Sequence, residues 1–233
     1  MTAVLLDAEV ADEDLKEILR ALGRRAHSPV AESDWTIGPS EKNSNHTLYR
    51  ISAKDKCDEV CRERNEFNFA CGQFSNMLRL KKGFAHVEAV DIVVYKEQAS
   101  VLQRFRARKQ LLVALAREVW VFHGTTEIAA IKILKEGFKI GGDDAQVPIK
   151  NGAACGRGVY AATGPSDPMR YAGQADCVVL AKAVPGLCRD IIQPDEEVDS
   201  WKPCKDWIVF RHCDQLLPVY VIHYTASPLN HHY

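Results

Sequence analysis

Six short β-rich, apolar segments follow one another after residue 85, and they constrain the fold of this chain more than any other feature. Their letters are HVEAVDIVVY, VWVFH, RGVYAA, CVVLAKAV, DWIVFR and LLPVYVIHY. Helical patterns lie between some of them, over residues 97–118 and over 128–137, where Gly137 closes the second helix. Strands at irregular spacing with a few helices between them predict an α+β domain built on a largely antiparallel sheet.

The first third of the chain has a different pattern. Residues 11–26 predict an amphipathic helix, with acids in its first turn and arginines near its end. Residues 27–47 are rich in Ser, Asn, Pro and Gly and predict a loop or linker, and a short strand follows over 48–52. We therefore predict a partly helical N-terminal extension of unknown role over residues 1–80, able to pack on a second domain over residues 81–233.

The charge balance excludes several classes of partner. The chain has 30 Lys and Arg and 31 Asp and Glu, which gives a formal net charge of −1 and no global attraction to nucleic acid or anionic lipid. No apolar run approaches the ~20 residues of a membrane helix, and the N-terminus turns acidic too soon for a secretory signal. We expect a cytoplasmic or nuclear protein with no membrane partner, and the oligomeric state is left open.

Eight cysteines are scattered along the chain. In a chain of this length without an export signal they do not predict a disulfide framework. Cys57, Cys61 and Cys71 could supply three thiolates to zinc, but the second tight Cys/His pair of a structural zinc site is missing. We interpret Cys57 and Cys61 as small hydrophobes that share one face of a charged helix over residues 57–67, and we predict no metal.

One basic stretch lies inside the helix predicted over residues 97–118. Its cations are Arg104, Arg106, Arg108 and Lys109, mostly on the face opposite the apolar residues. Such a stretch is usually a solvated helix face, and nucleic-acid contact is the alternative that it leaves open.

Four motifs in order along the chain identify a family. They are VFHGT (residues 121–125), EGFKI (136–140), CGRGVYAATGPSDPMRYA (155–172) and DWIVFRHCDQLLPVYVIHY (206–224). Together they resemble the catalytic domain of the poly(ADP-ribose) polymerase-like ADP-ribosyltransferases, the diphtheria-toxin-like branch. That family's pattern runs His-Gly-Ser/Thr, then Gly-x-Gly-Ile/Val-Tyr, then a Ser and a Tyr, then a carboxylate that begins a late strand. The resemblance implies the ADP-ribosyltransferase fold, a mostly antiparallel split β-sheet flanked by a few helices, with NAD as co-substrate.

The resemblance also implies how the donor is held. His123 and Thr125 would contact the nicotinamide ribose, and Gly124 would let its backbone approach the carboxamide. Tyr160 and Tyr171 would stack on either side of the nicotinamide ring. Cleavage of the nicotinamide–ribose bond passes through an oxocarbenium-like state, so the residues that orient the ribose and stabilise positive charge carry the chemistry.

The remaining donor and catalytic positions follow from the same motifs. Gly158, Ser166 and Lys139 match or lie near the donor site, with Lys139 towards the adenosine or pyrophosphate. Asp206 matches the late carboxylate, which holds the 2′-hydroxyl of the ribose and helps to activate the acceptor. The catalytic residues implied are therefore His123, Tyr160 and Asp206.

Two departures from the family pattern shape the expected activity. Asp206 stands where the polymerases carry Glu and is one methylene shorter, and Pro168 replaces the second serine of a Ser-x-Ser pair in which Ser166 is retained. We therefore expect mono-ADP-ribosylation of a protein acceptor, with release of nicotinamide, rather than chain elongation. The alternatives are a weak or inactive pseudoenzyme that acts as an NAD- or ADP-ribose-binding or interaction module, an NAD glycohydrolase, and a transferase that modifies nucleic-acid ends.

Overall fold

A computed structural model gives the structure of the chain, and it describes residues 35–55, 61–78, 85–112, 117–141, 155–171, 176–194 and 196–226. The elements below all belong to the unit Thr36–Tyr233. The helix predicted over residues 11–26 lies outside the described residues, as does Cys57.

Within the described residues, ten strands form one sheet. They are β1 (Glu41–Lys42), β2 (His46–Ser52), β3 (Ala85–Tyr95), β4 (Val119–Gly124), β5 (Val159–Ala162), β6 (Cys177–Ala183), β7 (Cys188–Arg189), β8 (Ser200–Trp201), β9 (Trp207–Phe210) and β10 (Leu216–Ala226). Their order across the sheet is β1-β2-β3-β10-β6-β4-β5-β9-β8-β7, and the pairs are antiparallel except β7 with β8. The predicted α+β class and antiparallel sheet are confirmed.

The sheet splits between β4 and β5. β4 pairs with β6 at six positions from Val119 to Gly124, but it pairs with β5 through Phe122 and Ala162. This single ladder pair is the sparsest pairing among the described strands, and we call the place beside it, at the end of β4, the fork of the sheet. This is the split sheet that the family resemblance implies.

Four helices and a 3₁₀ turn accompany the sheet in the described part of the chain. They are α1 (Arg62–Asn76), α2 (Ser100–Leu111), α3 (Glu127–Glu136), α4 (Ser166–Tyr171) and the turn Cys213–Gln215. Thr126 caps the start of α3, and Gly137 ends it with a φ of 86°, which a side chain would disfavour. Cys61 is the N-cap of α1, so the prediction that it lies on a helix face is wrong.

The main core lies between α3 and the sheet. Ala130 and Leu134 of α3 are fully buried against β4, β6 and β10. α3 repeats apolar residues at helical spacing and the strands facing it are continuous runs of Val, Ile and Ala, so both surfaces bury large apolar areas. This packing holds β4 against α3.

The six strands predicted after residue 85 and the short one predicted over 48–52 are all present, but the sequence analysis misses β1, β7, β8 and α4, which are six residues long or shorter. β2 and α1 fall inside the extension predicted over residues 1–80. β2 belongs to the same sheet as the later strands, since it pairs with β3 from His46 to Ser52, and α1 belongs to the same unit. The domain boundary at residue 80 stays a prediction. None of the described helices is long and apolar enough to cross a membrane.

Candidate active site

His123 lies at the end of β4, beside the fork of the sheet. Its Nδ1 donates a hydrogen bond to the carbonyl oxygen of Tyr160, 2.8 Å away, and its ring meets Phe138 edge to face with the centroids 5.3 Å apart. Burial lowers the pKa of His123, so the imidazole is neutral at neutral pH. Because a carbonyl oxygen can only accept, the proton lies on Nδ1 and Nε2 keeps a lone pair. His123 is thus built to accept a hydrogen bond at Nε2.

Gly124 and Gly158 are required by close packing. A Cβ built on Gly124 would overlap the carbonyl oxygen of Pro168 in α4, and one built on Gly158 would overlap the carbonyl oxygen of Phe210 in β9. Gly124 therefore lets α4 lie directly on β4, and Gly158 lets β5 approach β9. The buried Pro168, where the family has its second serine, supplies a backbone carbonyl at this contact.

Tyr160 in β5 uses its hydroxyl to hold a turn. The hydroxyl donates to the carbonyl oxygen of Gly156 at 2.7 Å and accepts from the backbone N–H of Cys155 at 3.1 Å. Trp201 donates from its indole nitrogen to the carbonyl oxygen of Cys155 at 2.6 Å. Burial raises the pKa of Tyr160, which keeps the hydroxyl a donor. Tyr160 and Trp201 together fix the turn that precedes β5.

Trp207 contacts both tyrosines that the sequence analysis places around the nicotinamide ring. Its ring lies edge to face with Tyr160 at 6.5 Å and with Tyr171 at 5.2 Å between centroids. Tyr171 ends α4 and is 52% exposed. Trp207 escapes the sequence analysis because an aromatic residue at the start of a strand is typical of core packing. Its position next to Asp206 is the signal that could have identified it.

Asp206 precedes the first residue of β9 and lines an open pocket. The pocket has about 290 Å³ of space, including its solvent-filled mouth, and is lined by Met77, Thr163, Gly164, Ser166, Asp167 and Asp206. The carbonyl oxygen of Asp206 accepts from the backbone N–H of Thr163 at 2.9 Å. The structure therefore brings Asp206 and Ser166 to one pocket, with Asp167 as a second carboxylate that the sequence analysis missed.

The strand register separates the predicted residues between two faces of the sheet. Paired residues of neighbouring strands point to the same face, and successive residues alternate. Phe122 pairs with Ala162, which pairs with Trp207. Tyr160 and Trp207 therefore share one face, and His123 points to the other. A ligand that meets both sets lies across the fork, where β4 and β5 part.

Thr125 and Lys139 lie at the margins of this arrangement. The carbonyl oxygen of Thr125 is 3.9 Å from the Sγ of Cys177. Lys139 forms an ion pair with Glu136, with Nζ 3.0 Å from the carboxylate, and its side chain is about half exposed. The roles assigned to both residues stay predictions.

The cations of α2 are each engaged by an acid. Arg108 pairs with Asp199 at 3.1 Å and Lys109 with Glu118 at 2.6 Å. The other two pairs are Arg104 with Asp214 and Arg106 with Glu97. Among the described residues, no group of three or more His, Cys, Asp or Glu side chains is arranged to hold a metal ion.

Comparison with known proteins gives one family. The family model described as PARP: Poly(ADP-ribose) polymerase catalytic domain matches residues 65–214, which is more than half of the chain. The match begins inside α1 and ends at Asp214, so it includes every residue of the site described above. No curated protein matches the chain.

Proposed function

Because this chain belongs to the poly(ADP-ribose) polymerase catalytic-domain family, we propose that it transfers a single ADP-ribosyl unit from NAD to a protein acceptor. In this reaction the bond between nicotinamide and ribose C1′ breaks and its electron pair leaves with nicotinamide. A nucleophilic side chain of the acceptor forms the new bond to C1′ and loses its proton. The products are nicotinamide, a proton and an ADP-ribosylated protein.

The state of His123 is the observation that carries the proposal. A neutral imidazole with Nδ1 committed to Tyr160 presents Nε2 as a fixed acceptor at the fork of the sheet. A ribose hydroxyl is a donor of matching chemistry. Since the ring is held by a hydrogen bond and by Phe138, it orients the ribose without reorganisation at the moment of reaction.

Asp206 supplies the negative charge of the proposed site. We assign its carboxylate to the 2′-hydroxyl of the same ribose and to the proton of the acceptor, because an anion at this place also stabilises the positive charge that develops at C1′. The pocket beside it is open to solvent, which is the side from which an acceptor would approach. The shorter side chain of Asp206 supports single transfer. A carboxylate withdrawn by about 1 Å costs on the order of a hundredfold in rate, which disfavours the repeated transfers of chain elongation.

The other predicted residues take donor-binding roles in the proposal. Tyr171, with half of its surface exposed, provides the stacking surface for nicotinamide, and Ser166 provides the hydroxyl for its carboxamide in place of the serine lost at position 168. Gly124, Thr125, Gly158 and Lys139 complete the donor site as the family pattern implies. Tyr160 acts by holding the turn before β5.

One observation favours a binding module as the second candidate. Pro168 both lacks the serine hydroxyl and packs its carbonyl group against Gly124, the residue whose backbone would meet the carboxamide. A chain that binds ADP-ribose or NAD without turnover would tolerate this arrangement.

The test is the release of free nicotinamide from NAD, with and without a cell lysate as acceptor. His123→Ala and Asp206→Ala should each lower release by about a hundredfold or more. The matched controls are His86→Ala, at an exposed position of β3, and Asp190→Ala, at an exposed position after β7; both should keep wild-type release. Asp206→Glu should raise release, because it restores the family length.

The pattern of products decides between the candidates. Release stimulated by lysate, with ADP-ribose on protein, supports the proposal. Release that ignores the acceptor indicates a glycohydrolase, and label removed by nuclease indicates nucleic-acid ends. Release no higher than that of His123→Ala, with a thermal shift on addition of NAD, indicates the binding module and overturns the proposal.

A further inference from the structure

Asp167 and Trp207 have no role in the proposed reaction, yet they connect the two elements that carry its site. We propose that their hydrogen bond is a brace that positions the Asp206 carboxylate relative to α4, and that both are positioning residues of this active site. The inference rests on the proposed function, since it concerns the geometry of that same site.

The geometry of the brace is direct. The indole Nε1–H of Trp207 donates to Oδ2 of Asp167 at 2.9 Å. An indole has one donor and no acceptor, and a bond from it to a carboxylate is charge-assisted, so this contact is both specific and strong. The other carboxylate oxygen of Asp167 is 3.9 Å from the guanidinium of Arg170, whose side chain is largely exposed. That second contact is a surface ion pair worth little.

The brace joins two segments whose residues line the pocket. Asp167 follows Ser166 in α4, and Trp207 follows Asp206 at the start of β9, so the bond links the segment that carries Ser166 to the one that carries Asp206. The edge-to-face contact of Trp207 with Tyr171 extends the same link to the end of α4. One rigid side chain therefore sets the distance between the donor-binding helix and the catalytic carboxylate.

A brace adds a side-chain link to the backbone bonds around Asp206, where the elements on both sides of the link are short. β9 has four residues and pairs with β5 at four positions, and α4 has only six residues. Short elements do not fix a side chain by themselves, and a misplacement of about 1 Å costs on the order of a hundredfold in rate. The bond of Trp207 to Asp167 therefore fixes the residue next to Asp206 relative to α4.

A double-mutant cycle on nicotinamide release tests the brace. Trp207→Phe keeps a ring against Tyr171 and removes the donor, and Asp167→Ala removes the acceptor. Each should lower kcat by about tenfold to a hundredfold, with a smaller change in KM for NAD, and the double variant should be no worse than either single one. Asp167→Asn keeps an acceptor oxygen and should recover most of what Asp167→Ala loses.

Two controls separate the brace from general damage. Arg170→Ala removes the other partner of Asp167, and Trp120→Phe makes the same change in an aromatic cluster with Phe69 and Tyr220; both should leave kcat within about twofold of wild type. Additive losses in the double variant overturn the brace. So does an Asp167→Asn variant as weak as Asp167→Ala, because the charge of Asp167 would then be what matters.

A readout independent of activity keeps this inference distinct from the proposed function. The NMR resonance of the Trp207 indole N–H can be assigned by its absence in Trp207→Phe. It should move in Asp167→Ala and should move much less in Arg170→Ala. If the resonance moves while the wild type releases no nicotinamide, the bond exists but the proposed function fails. If the resonance does not respond to Asp167→Ala, the brace is absent whatever the activity.

Discussion

The two halves of the split sheet are built in different ways. On one side of the fork, β3 and β10 have eleven residues each and β2 and β6 have seven, and their side chains are buried along most of their length. On the other side, β5 and β9 have four residues each and β7 and β8 have two. The long half is held by buried apolar area, which is spread over many residues.

The short half shares the apolar core through residues such as Val159 and Phe210, and individual side chains that bond to the backbone add to it. Trp201 donates to the carbonyl oxygen of Cys155, and Ser200 donates to that of Pro185 at 2.8 Å. Arg211 donates from Nε to the carbonyl oxygen of Val198 at 2.7 Å, and Tyr160 holds Gly156. Asp206 and Tyr160, the site residues of this half, therefore depend on a few specific bonds. Both halves therefore share one apolar core, and the half that carries Asp206 relies in addition on specific bonds.

Gly124→Ala should give the largest effect, because it acts where the halves meet. The new Cβ would overlap the carbonyl oxygen of Pro168, a backbone atom that cannot move without shifting α4. We expect nicotinamide release to fall by a hundredfold or more and the free energy of unfolding to fall by several kcal/mol, on the order of an overpacked core. Release assays and thermal unfolding measure both.

Gly72→Ala is the matched control. Gly72 lies inside α1, and a Cβ there meets nothing within 4 Å. Replacing a helical glycine by alanine should raise the free energy of unfolding by about 0.5–1 kcal/mol and leave release unchanged. Equal behaviour of the two variants would mean that the contact between Gly124 and Pro168 does not exist.

Ile222→Ala tests the long half. Ile222 is fully buried in β10, where it pairs with Val90 and Val178. The cavity should lower the free energy of unfolding by about 2–5 kcal/mol, or the melting temperature by roughly 5–15 °C. Well below the melting temperature, kcat per folded molecule should stay at the wild-type value. A loss of kcat without a loss of stability would contradict the separation of scaffold and site.

Sequence reasoning predicts the long half better than the short one, and the reason is physical. β3, β6 and β10 are buried over many residues, so composition and period identify them. β7 and β8 have two residues each, too few for any pattern. Side chains in and beside β8, those of Ser200, Trp201 and Arg211, bond to the backbone of other segments, and such contacts are not visible in sequence.

The candidate site shows the same limit. His123 and Asp206 follow from motifs, but the contacts that set their state do not. The Nδ1 bond of His123 depends on how β4 lies beside β5, and the contact of Trp207 with Asp167 joins residues 40 positions apart. The basic stretch of α2 likewise has the pattern of a free cationic surface in sequence, while Arg104 and Arg108 meet acids from distant segments, Asp214 and Asp199. Arg106 and Lys109 meet Glu97 and Glu118, each nine residues away.

The pH dependence of stability gives the smallest effect and probes the fork most directly. Burial holds the pKa of His123 below its usual value of 6.5 in the folded chain, whereas the unfolded chain has the usual value. Below about pH 6.5 the unfolded state therefore binds more protons, and stability falls as the pH falls, by no more than about 1.4 kcal/mol per pH unit for one group. Denaturant unfolding at pH 7.5 and 5.5 measures this slope. His123→Ala should flatten the slope of stability against pH, and the control His86→Ala should preserve it. The slope that remains in His123→Ala comes from groups such as His212, whose pKa is also lowered by burial and by Arg108. If His123→Ala leaves the slope unchanged, the imidazole is not held neutral, and the acceptor role proposed for its Nε2 is wrong.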